Sequence, residues 1–85
     1  MYGIYILRSK RDKSVYVGYS QDIKRRVEEH QKGRVHSTKN KRPWELIYCE
    51  LYRNQKDAMQ REQYFKTGWG RNYMKKILSH TINEK

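Results

Sequence analysis

Two runs of β-branched and aromatic side chains, Tyr2 to Arg8 and Ser14 to Tyr19, stand either side of the polar segment Lys10 to Asp12. Two such runs around a short polar turn predict a β-hairpin. A turn centred on Lys10-Arg11 would set Tyr5 opposite Tyr16 and Gly3 opposite Gly18 on one face of the sheet. Both phenols would then lie beside two positions with no side chain, and a glycine in a strand often marks a close approach to the backbone. The plainer reading of the same pair is cross-strand aromatic packing.

Downstream, Ser20 is a candidate cap for a helix from about Gln21 to Lys32, ended by Gly33. Its apolar stripe is thin: Ile23 and Val27, continued by His30. Arg26 and His30 are four apart and so share one helical face. The basic segment Gly33 to Pro43 has no periodicity and reads as a loop. Trp44 to Tyr52 alternates as a third strand with Ile47, Cys49 and Leu51 on its apolar face. Asn54 caps a second helix, about Gln55 to Thr67, stopped at Gly68. A short third helix runs from Arg71 to about His80 with Tyr73, Ile77 and Met74 turned inward. Trp69, between Gly68 and Gly70, is expected to pack over the core. The elements run β-β-α-β-α-α.

At 85 residues, 35% of them hydrophobic, the chain has material for one domain, residues 1–85, with one small core. Cys49 is the single cysteine, which excludes an intrachain disulfide and a cysteine-based zinc site. No apolar run is long enough to act as a signal segment or to span a bilayer, so a cytoplasmic domain is expected. Twenty Lys+Arg against nine Asp+Glu give a formal net charge of +11, the field of a polyanion binder. Nucleic acid is favoured over a membrane surface because no helix reads as amphipathic with an exposed apolar face.

The second helix holds an anomaly. Ala58, Phe65 and Trp69 share one stripe at helical periodicity, and Glu62 lies in the middle of it. A carboxylate on a core-facing stripe is costly unless it is paired or holds a cation. It could snorkel to the rim or pair with a nearby Lys or Arg. His30 alone would more often be a satisfied half-buried histidine than a general base. Two phenols, an Arg-x-x-x-His helix face and one isolated carboxylate are nevertheless the parts phosphodiester hydrolysis needs. A base takes a proton from water, a cation balances charge on the phosphoryl oxygens, and a divalent ion stabilises the leaving oxygen. One carboxylate with waters and substrate phosphate is an acceptable Mg²⁺ site.

The chain resembles the GIY-YIG endonuclease superfamily, specifically its small stand-alone bacterial members, from Tyr2 to about Leu78. The residues that carry the resemblance are Gly3-Ile4-Tyr5, Tyr16-Val17-Gly18, Arg26, His30 in "RRVEEH" and Glu62 in "AMQREQYFK". It implies an α+β fold, a small three-stranded antiparallel sheet flanked by two or three helices, and metal-dependent cleavage of DNA linked to repair or recombination. Carried over position by position, Glu62 is the metal ligand for Mg²⁺ or Mn²⁺ and Arg26 the phosphate clamp. Tyr5 and Tyr16 flank the attacking water, with Tyr5 working with His30 as the preferred base. Gly3 and Gly18 keep the sheet open to the strand being cut, and Lys24 and Arg25 add phosphate contacts. A tyrosine with a free pKa of about 10 needs help from the metal, Arg26 or His30. Asn72 is the nearest match to a polar residue that family members often carry beyond the glutamate. Branched or damaged DNA, single strands and RNA all remain open as substrates, and a protein partner is compatible. The alternative reading is a catalytically weak or inactive nucleic-acid-binding subunit of a larger complex.

Overall fold

The hairpin forms, but its turn is wider than two residues. In the computed structural model, which describes residues 1–83, strands β1 (Tyr2–Ser9) and β2 (Val15–Ser20) close at Ser9 and Ser14. Lys13 within the turn takes φ 66°. Ser9 organises the turn by accepting from the backbone N–H groups of Arg11 and Asp12 while donating to the Lys41 carbonyl. The wider turn moves the register by two residues, so Tyr5 faces Gly18, Leu7 faces Tyr16, and Gly3 faces Ser20. The expected Tyr5–Tyr16 and Gly3–Gly18 pairs are therefore not formed. A shift of two, unlike a shift of one, leaves every side chain on its original face. Both phenols still share a surface, offset along it.

Helix α1 (Ile23–Gln31) begins later than expected because Asp22, not Ser20, caps it, its carboxylate accepting from the Arg25 N–H. Ser20 instead accepts from the Asp22 N–H and shapes the approach. The basic loop contains one short 3₁₀ turn, Lys39–Lys41. Strand β3 (Trp44–Tyr52) pairs antiparallel with β1, giving the sheet order β2-β1-β3. A register shift opposite Ile6 and Leu7 revises the expected apolar face of β3. Ile47 packs on the core, but so do Tyr48 and Tyr52, while Cys49 is exposed and Leu51 is 59% exposed.

Asn54 caps α2 (Gln55–Phe65) through its side-chain oxygen. The helix does not run on to Trp69. Thr67 ends it and caps α3 (Gly68–Ile77), its hydroxyl accepting from the Gly70 N–H and donating to the Tyr64 carbonyl. A short α4 (Ser79–Ile82) follows, so among the described residues four α-helices flank the sheet where two or three were expected. The inward residues of α3 are Gly70 and Met74, followed by Leu78; Tyr73 lies at the rim with its ring against Phe65 and Tyr64, whereas Ile77 and above all Trp69 face outward.

Each sheet face carries its own cluster. Ile4, Ile6 and Val17 pack with Ala58, Phe65, Met74 and Leu78, while Tyr5, Leu7 and Trp44 pack with Tyr16, Ile23 and Val27 of the α1 side. At about 1.5–3 kcal/mol for each fully buried large side chain, both clusters contribute to holding β1 in the centre. Across the first cluster, Arg61 clamps Glu50 through two hydrogen bonds of 2.9 and 3.2 Å, and Tyr48 and Tyr52 also donate to that carboxylate. The Arg61 guanidinium lies over Tyr64, Phe65 and Tyr73, which ties α2 to both β3 and α3.

Candidate active site

Tyr5 points from the central strand toward α1 and is 1% exposed. Its phenol lies across Gly18: a Cβ built there would stand 2.3 Å from Tyr5 Cζ and from its hydroxyl oxygen. Gly3 is likewise covered, with Ile23 Cδ1 at 2.6 Å from the corresponding position. Gly3 and Gly18 were expected to keep the sheet open to a substrate strand; instead the protein's own side chains fill both spaces. Glycine at 18 is the condition for Tyr5 to lie flat on its partner strand.

That placement brings the phenol 2.8 Å from Nε2 of His30, whose ring is fully buried. The other ring nitrogen, Nδ1, is 2.7 Å from the hydroxyl of Thr38, itself 1% exposed. Thr38 can direct its own proton to the Val35 carbonyl at 3.4 Å, an arrangement in which it accepts from Nδ1–H. The network then assigns Nε2 as the acceptor of the Tyr5 O–H. Thr38 is held in turn by Trp44, whose indole N–H donates to the Thr38 carbonyl at 2.9 Å. Gln31, at the end of α1, pairs through its side-chain amide with both backbone groups of Trp44. The sequence reading missed Thr38, which lies in a loop without periodicity; its distance of eight residues from His30, across a helix end, leaves no pattern to find.

Tyr16 completes an aromatic group, its ring 5.0 Å from His30 and 6.3 Å from Tyr5 between centroids. Burial pushes Tyr5 up to about 12, reinforced by Tyr16 and, more weakly, by the negative charge of Glu62; the Arg26 guanidinium opposes it. Burial and the Arg26 charge hold His30 down at about 4. At neutral pH the pair is therefore phenol and neutral imidazole. Arg26 remains half-exposed and pairs with Glu29 at 3.3 Å.

Glu62 is partly buried, with its side chain 17% exposed, and it pairs with Lys66 one turn later at 3.3 Å. Pairing with a lysine is one of the two outcomes anticipated for a carboxylate on this stripe. Among the described residues no three His, Cys, Asp or Glu side chains gather into a metal cage. A single carboxylate of this kind suits a hard cation that keeps most of its waters, and does not suit a structural zinc ion. Lys24 and Arg25 stand apart from the aromatic group, exposed on the outer side of α1. Asn72 is exposed on α3. Among the described residues no helix is long and apolar enough to cross a membrane.

A family model described as the GIY-YIG catalytic domain matches residues 1–76. UPF0213 proteins of Staphylococcus aureus are 40% identical to this chain over 65 residues, spanning 75% of it and 78% of their own length. The solution NMR structure of a UPF0213 protein from Bacillus halodurans superposes with a TM-score of 0.58 at 28% identity, covering 98% of this chain and 88% of that one.

Proposed function

Because the chain belongs to the GIY-YIG family, a family of nuclease catalytic domains, we propose that it is a metal-dependent endonuclease hydrolysing phosphodiester bonds in DNA, structure-selective or non-specific and acting in repair or recombination. The observation that carries this reading is the buried Tyr5–His30–Thr38 chain of hydrogen bonds, flanked by Arg26 and within the electrostatic reach of Glu62.

In the resting protein the Tyr5 proton stays on oxygen. With burial raising the phenol and lowering the imidazolium, moving it to Nε2 is uphill. The pair can act as a base once the attacking water is made more acidic and the negative charge of the bound phosphate offsets the imidazolium. Glu62 would hold a divalent ion, Mg²⁺ or Mn²⁺, which would make the attacking water more acidic. Arg26 holds the scissile phosphate and offsets charge growing on its oxygens. Tyr5 takes a proton from the attacking water as it hands its own to His30 Nε2, and the Nδ1–H···Thr38 bond steadies the imidazolium that results. Tyr16 closes the other side of the water position. Lys24 and Arg25, on the same helix as Arg26, take neighbouring phosphates. Lys66 releases Glu62 at little cost, being 45% exposed in an exposed-side ion pair.

The test is cleavage of labelled duplex, flap, junction and single-stranded substrates in Mg²⁺ and in EDTA, with Glu62→Gln beside the wild type. Metal-dependent cutting that falls by at least about 100-fold in E62Q, with DNA affinity retained, is the expected result. Salt-sensitive binding without cutting in either protein would instead identify a nucleic-acid-binding module.

A further inference from the structure

Trp69 was expected to cover the core, and it is 82% exposed, the most exposed of the large apolar side chains. It is not exposed through slack. Thr67 caps α3 and bonds both neighbours, and a Cβ at Gly70 would meet the Tyr64 carbonyl oxygen at 1.9 Å, so the start of α3 is jammed against the end of α2. Gly68 beside it has open space on its side-chain position. Among the described residues the other tryptophan, Trp44, is 3% exposed and hydrogen-bonded, and Trp69 stacks with no other aromatic ring. The ring is thus presented to solvent on a fixed corner, with Tyr73 and Ile77 following at helical spacing, 38% and 37% exposed.

Charge selects the occupant. From Gln63 to Asn83 the sequence contains Lys66, Arg71, Lys75 and Lys76 and no carboxylate. All four are exposed; Lys76 shares the Trp69 face of α3, Lys66 stands at the end of α2 paired with Glu62, and Arg71 and Lys75 lie round the helix beside Arg8 and Met74. An exposed indole beside Lys76, with no carboxylate on its own helix and on a chain of net charge +11, matches a strand that offers bases to stack and phosphates to pair better than an apolar protein partner. A base inside a duplex presents only its edge, so the platform takes an unpaired one.

We propose that Trp69 is a stacking platform for an unpaired base of the bound nucleic acid, which gives the protein a preference for single-stranded or unpaired segments. This deepens the nuclease reading and rests on it for its biological sense, but the contact is measured without cleavage. Alanine substitution at such platforms typically lowers affinity by roughly 5- to 150-fold per base.

The experiment is binding of a fluorescein-labelled single-stranded oligodeoxynucleotide and of its duplex in EDTA, with wild type, Trp69→Ala and Trp69→Phe, and intrinsic tryptophan emission recorded alongside. Because Trp69 touches so little, W69A leaves the fold intact. Expected are about tenfold or greater loss of single-strand affinity in W69A, duplex affinity within twofold, an intermediate W69F, and an unchanged salt slope because no charge is removed. Single strand should quench wild-type emission and leave the Trp44 emission of W69F unaltered. Equal single-strand affinity in W69A and wild type overturns the inference, as does an equal loss for duplex. A wild-type dimer that W69A abolishes, with no change in single-strand binding, overturns it in favour of a protein contact. Loss of metal-dependent cutting in E62Q with unchanged W69A binding would sink this inference alone; W69A-sensitive binding by a protein that never cuts would sink the nuclease reading alone.

Discussion

Gly18→Ala tests whether the phenol of Tyr5 requires a bare position beneath it. The new Cβ would stand 2.3 Å from Cζ and from the hydroxyl oxygen and 2.8 Å from Cε1, where ordinary contact begins at 3.4 Å. The ring must retreat by about 1 Å, and it is held by the buried bond to His30. Overpacking costs about 1–3 kcal/mol and the lost hydrogen bond about 1 more, offset by about 0.5–1 from restricting the unfolded chain. The net loss is about 1–3.5 kcal/mol, which in a domain of this size lowers the melting temperature by roughly 5–25 °C. Displacing a reacting group by 1 Å lowers the single-turnover cleavage rate by about 100-fold. Gly3→Ala is the contrast, because there the Cβ meets the movable end of Ile23 at 2.6 Å, and activity should persist. Thermal melts and single-turnover cleavage are read for both variants, with Gly18→Ala repeated in a Tyr5→Ala background where the ring is gone. The reasoning is refuted if G18A melts with the wild type, or if its stability deficit is as large without the phenol as with it.

Thr38→Val keeps the volume and removes the acceptor for Nδ1–H, so His30 shifts toward the Nε2–H tautomer and Tyr5 loses its acceptor. Cleavage should fall by about 100-fold, Thr38→Ser should restore it, and ¹⁵N NMR of the imidazole should report the tautomer change; an unchanged tautomer would disprove the assignment. His30 ties stability to pH. Its folded pKa of about 4 lies below the unfolded 6.5, so the unfolded chain binds the extra proton in between and stability is lost as pH falls through that window. The loss amounts to about 3 kcal/mol from pH 7 to pH 4, and urea melts at several pH values should show that slope in wild type and not in His30→Gln.

What the sequence made legible was what local pattern and capping control. The three strands, the Asn54 cap and the shared face of Tyr5 and Tyr16 follow from alternation and helix-start chemistry, which act over a few residues. The errors arose where a distant or subtle competitor decided. The hairpin register turned on the Ser9 hydroxyl organising a four-residue turn, and the inner face of β3 on a bulge opposite Ile6 and Leu7. The Trp69 stripe failed because periodicity cannot see a break made by a threonine cap and a glycine forced under a carbonyl. The Tyr5–His30 contact spans 25 residues and the His30–Thr38 contact bridges a loop, and no spacing rule announces either.

The strand order β2-β1-β3 gives the two phenols different freedoms. Tyr5 belongs to a strand bonded along both edges, so its amides are expected to exchange through opening of the whole domain. Tyr16 sits on β2, which has one partner, and edge strands detach at a fraction of the global free energy. On the timescale of a substrate arriving, one wall of the site is therefore stationary and the other is the wall that gives. On the proposed reading, accommodation of differently shaped nucleic-acid substrates would fall to Tyr16 and the edge strand that carries it, while the Tyr5–His30 bond keeps its geometry.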